Sequence, residues 1–517
     1  MSRRCLSAAL LAAVLTALAA APALAASVPL GGSPLNVIVG DQGQLQAFRT
    51  DRSDPTHPPG IFYHPTRELG DAGFFLAFPT GTTNPPVLPG TVWGFDGSAG
   101  PNGLSPYTGL GQDSVSGAGT AASPLTQVSR YAVHTASDLV KVTQTTTYVN
   151  GAQEFHVRWD VQNTSGADLR FKALAAADFF FEGDDAGVGI FTQGPPRFIG
   201  GTNVDSGSSG GFVEASPSWD HYQALDFPTV WTRVQNAAAD ANKVWDDSVL
   251  DHPDDNAGGV EWDQGLTTPL TPGQTRTFEL VIRSAVPSAL QLNPTNAASR
   301  QGVAVPITAT ATDSNGQPYA GKTLRFTIAG ANPGGGAVTL GPTGSAVVTD
   351  PGTNAGTDNV TVFVDFNSDG VRQPVEPQAT ALATFVDNIP PTCSLKASGT
   401  LTGGGASGKP LVITVNCGEG ATVTVATTLT APAARRAVAS AKKKKAKKIK
   451  LKPVTQTVVA GQPTALRVKI PKSVARKYAG KTLTSTIVIT ARDAAGNVKK
   501  TTIKRKVKLA KLKKKRR

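Results

Sequence analysis

Between Glu154 and Val161 apolar and polar residues strictly alternate: Phe155, Val157, Trp159 and Val161 interleave with Glu154, His156, Arg158 and Asp160. A period of two places the first set on one face of an extended chain and the second on the other, as in a strand with one buried and one wet side. His156 is then a solvated strand residue. The pattern returns where Leu466, Val468 and Ile470 flank Arg467 and Lys469, and where Ile503, Val507 and Leu509 are interleaved with Lys504, Lys506 and Lys508. Val140, Val142 and a Thr run lead to Tyr148-Val149 and then Asn150-Gly151, a pair suited to a type I′ turn because both residues tolerate positive φ. Further strands are expected at 171–181 and 275–283, the latter entered through Thr271-Pro272-Gly273-Gln274. With no convincing amphipathic helix in view, the chain is expected to be all-β and multi-domain, beginning with a large antiparallel β-sandwich.

The 517 residues suffice for several domains. Arg3 and Arg4 precede an apolar run from Leu6 to Ala21 that ends in Ala23-Leu24-Ala25, a small-x-small pattern. Residues 1–25 therefore read as a signal peptide removed on export, so the expected location is extracellular, secreted or cell-wall-associated. A membrane anchor is the competing reading, but the run meets Pro22 too early for a comfortable span. No later segment approaches the ~18 uninterrupted apolar residues of a spanning helix. All six Trp and all six His lie between His57 and Trp262, which marks a boundary near Val286-Pro287. A second seam falls at Asn388-Ile389-Pro390-Pro391, where paired prolines favour an extended linker and the charge changes sign. From Pro390 to Arg517 there are 31 Lys plus Arg against two acids, Glu419 and Asp493; residues 1–389 carry 19 basic and 35 acidic groups. The expected units are an acidic domain of unknown ligand at 26–286, a second domain at 287–388, a basic domain at 389–510 and a basic tail at 511–517.

The acids of the first unit cluster at Asp178, Glu182, Asp184 and Asp185, at Asp246 to Asp255, and at Glu261 and Asp263 around Trp262. Glycoside hydrolysis needs two carboxylates roughly 5–9.5 Å apart, and aromatic platforms hold sugar rings by stacking. Glu261 and Asp263, two apart on a strand, would share a face. A carbohydrate-active enzyme using Asp178, Glu182, Glu261, Asp263 and His221 is thus one reading. Acids in Gly- and Asn-rich loops more often stay solvated or hold a structural cation, and no histidine has a metal-ligand spacing or a nucleophile motif beside it. Trp219-Asp220-His221-Tyr222 is the segment best suited to a polar-aromatic pocket.

In the second unit Ala309 to Lys322, with Asp313-Ser314-Asn315-Gly316-Gln317-Pro318 as its turn and Leu324 and Phe326 following, resembles the strand-turn-strand opening of bacterial immunoglobulin-like domains of the invasin type. Gly356 to Val362 is similar to their late strands, and Ala491-Arg492-Asp493-Ala494-Ala495-Gly496-Asn497 resembles the turn before the last strand in such modules. The resemblance implies two immunoglobulin-like sandwiches after the first unit, acting as spacers or presenters on a cell surface. Asp365-Phe366-Asn367-Ser368-Asp369-Gly370-Val371-Arg372-Gln373-Pro374-Val375-Glu376 has calcium-loop spacing: side-chain ligands Asp365, Asn367, Asp369 and Glu376, the Val371 carbonyl, and Gly370 for the sharp turn. Strand-like rather than helical flanks separate it from an EF-hand. A structural calcium and an ion-free polar hairpin loop both suit the segment.

Cys393 and Cys417 are the cysteines left after the expected processing, and an even count in an exported chain predicts a disulfide. The absence of Trp here argues against an antibody-type core. The basic groups occur as strand faces and as blocks: Lys442, Lys443, Lys444, Lys445, Lys447 and Lys448, then Lys513, Lys514, Lys515, Arg516 and Arg517. Such blocks suit an anionic cell-wall polymer or polysaccharide, and no interleaved aromatics supply base stacking, so sequence-specific nucleic acid is not expected. The chain reads as a secreted or envelope-associated modular protein with a binding, adhesion or display role.

Overall fold

The computed structural model describes residues 26–51, 59–95, 103–242, 245–395, 401–403, 409–431 and 446–511. Residues 1–25, Lys442 to Lys445 and Lys513 to Arg517 lie outside the described residues. Within them strands dominate and three short helices occur, so the all-β, multi-domain expectation holds.

In the first region a 14-stranded sheet, almost entirely antiparallel, accompanies a three-stranded one formed by Ser27–Pro29, Leu35–Gly40 and Leu45–Arg49. The strand Glu154–Asn163 pairs with Asp138–Tyr148 on one side and Thr275–Ala285 on the other. Its Phe155, Val157, Trp159 and Val161 are buried, while His156 and Arg158 are exposed. Trp159 stacks on Phe74 at 4.7 Å, and Phe278 packs against both Phe74 and Trp262. All six tryptophans are buried.

Two local expectations are corrected. Asn150-Gly151 does not form a type I′ turn: only Gly151 takes positive φ (91°), in a turn closed by Ala152 N donating to Val149 O at 3.1 Å. Asn150 is held from outside, its Oδ1 accepting from Ser33 N at 3.1 Å and its own N–H donating to Gly119 O at 2.9 Å. These contacts override the local preference of the pair. A helix also occurs where none was expected, at Phe227–Gln235. Asp226 caps it by accepting from Thr229 N at 3.0 Å, Pro228 sits in its first turn, and Val230, Trp231 and Val234 form its buried stripe.

The middle region has a three-stranded sheet of Pro287–Asn293, Val305–Asp313 and Ser345–Asp350 and a five-stranded sheet centred on Gly356–Asp365. Ile307, Val348, Leu324, Val360, Val362 and Phe385 share its core, with Phe326 only half-buried. The C-terminal region repeats the plan with three strands and six, the larger sheet built on Ala421–Thr430, Thr482–Arg492 and Val498–Leu509. In both regions a short strand pairs parallel to the final strand: Asn296–Arg300 with Gln378–Val386, and Leu401–Gly403 with Val498–Leu509. Cys393 and Cys417 face each other across antiparallel strands and are bridged, with the S–S bond at 2.05 Å.

One turn recurs. Asp313 Oδ1 accepts from Gln317 N at 2.8 Å, and Asp493 Oδ1 accepts from Asn497 N at 2.8 Å; the fourth residue of each turn is a glycine at positive φ, Gly316 at 75° and Gly496 at 94°. Each turn also grips the chain arriving from the preceding region. Ser314 N donates to Val286 O at 2.8 Å, and Asn497 Nδ2 donates to Asp387 O at 3.1 Å.

Candidate functional site

Asp178 ends the strand Lys172–Asp178, and Asp255 lies at the start of the neighbouring strand Asp254–Trp262. Asp178 is almost fully buried, and burial followed by the charges of Asp255, Asp71 and Asp185 pushes its carboxyl up to about 9. Burial likewise raises Asp71 to about 7 and, helped by Asp185 and Asp254, Asp255 to about 6. One oxygen each of Asp71, Asp178 and Asp255 is buried without a hydrogen-bond partner. The fold therefore gathers Asp178 with Asp185 and Asp255 and adds Asp71, which stands outside every acidic run of the sequence and carried no signal there.

Glu182 belongs to a different place. Its backbone is at positive φ (49°), and its Oε2 accepts a bond from Ser208 Oγ. With Asp184, Asn203 and Asp205 it forms one wall of a cleft of about 410 Å³ whose other wall is Asn367, Gln373, Pro374 and Val375 of the middle region. Tyr319 Oη donates to Gly207 O at 3.2 Å beside this cleft, and Phe366 occupies the space that a side chain on Gly207 would need.

Glu261 and Asp263 lie together at the end of one strand, and His221 joins them from the strand paired with it. Glu261 is fully buried, Lys172 Nζ stands 2.9 Å from its Oε1, and Trp245 N donates to its Oε2 at 3.1 Å. Burial raises Glu261 to about 8 against the pull of Lys172, with Asp263 adding repulsion. His221 bridges outward, Nδ1 3.3 Å from Asp247 and Nε2 3.8 Å from Asp263. Trp262 is buried with its indole N–H on Pro217 O at 3.0 Å, and Trp219 is buried beneath the Arg197 guanidinium, so neither forms the sugar platform sketched from the sequence. In that segment only Tyr222 is part-exposed among the aromatics, and it stacks on Phe191 at 4.2 Å.

The loop Asp365 to Glu376 uses its acids to organise its own backbone. Glu376 accepts from Phe366 N at 2.8 Å and Gln373 N at 2.9 Å, Asp369 from Val371 N at 2.7 Å, and Asn367 from Asp369 N at 3.1 Å. Asp365 Oδ2 pairs with Arg325 and accepts from Gly370 N at 3.1 Å, whereas its Oδ1 is buried and has no partner. Burial raises Glu376 above the usual carboxylate range, and Asp365 and Asp369 push the same way. Two fully buried carboxylates with one orphaned oxygen fit a hard cation.

The outward face of the six-stranded C-terminal sheet is a threonine floor between lysine edges. One row runs Lys448, Thr430, Thr484, Lys506 across four paired strands, and the next runs Lys450, Thr428, Thr486, Lys504. All four lysines are exposed, as are Lys500 and Lys508 further along the strand Val498–Leu509. Strand spacing sets the two lysine edges roughly 14 Å apart, with charges on one edge about 7 Å apart. Lys447 is exposed beside this sheet.

No protein-family model matches the sequence, and no curated protein matches it. Solved structures with some likeness include a C-terminal 282-residue fragment of intimin, crystallised with the intimin-binding domain of its translocated receptor. It is 14% identical over 42% of this chain, at a TM-score of 0.18, and the chain spans 63% of that fragment. InvD of Yersinia pseudotuberculosis is 12% identical over 70% of this chain and 95% of its own, at 0.22. An Escherichia coli K12 protein described as a candidate aldose 1-epimerase is 11% identical over 50% of this chain and 98% of its own, at 0.26. Likenesses this distant carry no argument about activity. Among the described residues no helix is long and apolar enough to cross a membrane.

Proposed function

We propose that this is an exported, envelope-associated display protein: an acidic β-domain carried on two immunoglobulin-like modules and retained by electrostatic contact between its basic C-terminal sheet and an anionic wall polymer or polysaccharide. The observation that carries this reading is the pair of lysine-edged threonine rows. Hydroxyls across the floor can donate to sulfate, phosphate or carboxylate oxygens, while the flanking ammonium groups supply attraction that added salt screens. The blocks at Lys442 to Lys445 and Lys513 to Arg517 add to the positive charge of the same stretch of sequence. We also propose that Asp365, Asn367, Asp369, Glu376 and the Val371 carbonyl hold a structural calcium next to the cleft, stiffening the passage from the first region to the second. Without that ion Asp365 Oδ1 stays buried and unpartnered, while Oδ2 keeps Arg325 and Gly370 N.

The test is retention of the full chain on isolated envelopes and on dextran sulfate in low salt. Deleting 440–517 would remove the strands Thr482–Arg492 and Val498–Leu509 from the core, so substitution is the cleaner route. Exchanging Lys500, Lys504, Lys506 and Lys508 for Gln should reduce retention at least tenfold at low salt and flatten its salt dependence. Unchanged retention would refute the role of this face.

A further inference from the structure

The whole stretch from Pro390 to Arg517 has two acids among its 31 cationic side chains, and the fold brings those two together. Glu419 lies in the turn between Leu411–Cys417 and Ala421–Thr430, and Asp493 in the turn between Thr482–Arg492 and Val498–Leu509. Asp387 joins them from the linker just after the middle region's last strand, Gln378–Val386. One carboxylate oxygen from each of the three lies within 4.8 Å of the others. Oxygens on opposite sides of a calcium ion with bonds of roughly 2.4 Å stand about 4.8 Å apart, so the spread of the three is that of one coordination sphere.

Proximity of acids alone would mean little, and a second observation gives it direction. Asp493 is 9% exposed; its Oδ1 accepts from Asn497 N at 2.8 Å, while its Oδ2 is buried with no hydrogen-bond partner. A buried, unpartnered carboxylate oxygen is costly unless a cation or donor meets it. The two neighbours of Asp493 in the cluster, Asp387 and Glu419, bear the same sign of charge in a region otherwise rich in lysine. Surplus lysines spread over the strand faces while the scarce carboxylates converge, an arrangement that leaves a compact hole of negative charge for a small ion.

We propose that Asp387, Glu419 and Asp493 form a divalent-cation site, suited to calcium, that clamps the C-terminal region to the linker arriving from the middle region. Asn497 Nδ2 on the Asp387 carbonyl already aligns linker and turn, and the ion would lock that alignment by tying one side chain of the linker to two of the C-terminal region. This site is separate from the loop Asp365 to Glu376 and does not depend on it.

Equilibrium dialysis of the full chain with calcium alone tests it, comparing the unmodified protein with E419Q and D369N. Glu419 is part-exposed in a surface turn, so E419Q keeps the fold; near-ultraviolet circular dichroism checks this. The expected result is loss of one bound calcium per chain in E419Q, with that same equivalent retained in D369N. D387N, which alters only the linker, should match E419Q. Equal calcium binding by E419Q and the unmodified chain would overturn the proposal, whatever D369N does.

Discussion

Burial of Asp178 beside Asp71, Asp185 and Asp255 fixes the sign of one response to pH. A carboxyl whose folded value stands near 9, against an ordinary 3.8, favours folding while it is protonated in both states. That contribution is complete below the ordinary value and is lost as pH rises through the interval up to about 9. Asp71, at about 7, and Asp255, at about 6, act in the same direction over narrower windows. The first region should therefore unfold at lower urea concentration at pH 8.5 than at pH 6. D178N should raise its stability at pH 8.5 by at least about 1 kcal/mol and shrink the difference between the two pH values. A second residue-scale prediction concerns Lys172 and Glu261, whose side chains are 0% and 1% exposed. K172M should cost about 2 kcal/mol because it leaves the buried Glu261 carboxyl without its partner, and K172M/E261L should recover much of that loss, both read by urea denaturation. Sequence spacing placed Glu261 and Asp263 on a common face, but not the lysine beneath them: Lys172 is 89 positions away, and only the pairing of Leu174 with Glu261 brings its strand alongside.

At the scale of single elements, the helix Phe227–Gln235 shows why periodicity alone misses short helices. Its buried stripe is just Val230, Trp231 and Val234, too few for a clear 3.6 period, yet Asp226 with Pro228 two positions on is a start signal. D226A should cost about 1 kcal/mol in denaturant, since it removes the acceptor for Thr229 N. Strands that bury one face, such as Phe155 to Val161, were the legible ones, whereas Ala72–Phe78 and Lys172–Asp178 are buried along their whole length. The turn at Asn150 was not, because its partners Ser33 and Gly119 come from distant sequence. Removing the bridge between Cys393 and Cys417 with C393A/C417A frees a loop with a sequence separation of 24, and thermal melting should show a loss of about 3 kcal/mol. In the middle region, calcium at 10 mM should raise the calorimetric midpoint by the equivalent of roughly 1.4–2.7 kcal/mol if the loop binds in the ~10⁻⁴–10⁻³ M range of extracellular modules. An unchanged midpoint, or an equal rise in D369N, would reject the loop as its origin.

Taken whole, the chain has an acidic first region followed by two similar sandwiches, the second of them strongly basic, and each sandwich grips the incoming chain with an Asp-capped turn. The division of charge was plain in the sequence because it depends on composition alone. The junction contacts were hidden there, since Val286 meets Ser314, and Asp387 meets Asn497, only once each sandwich has closed. One further property follows from where the indoles sit. Every tryptophan lies between Trp93 and Trp262, inside the first region, and every one is shielded from water. Intrinsic emission excited at the red edge of protein absorbance is thus a private spectroscopic channel. It will register the melting of the acidic domain and stay blind to both modules behind it, so a calorimetric trace minus an optical one isolates their transitions without cutting the polypeptide.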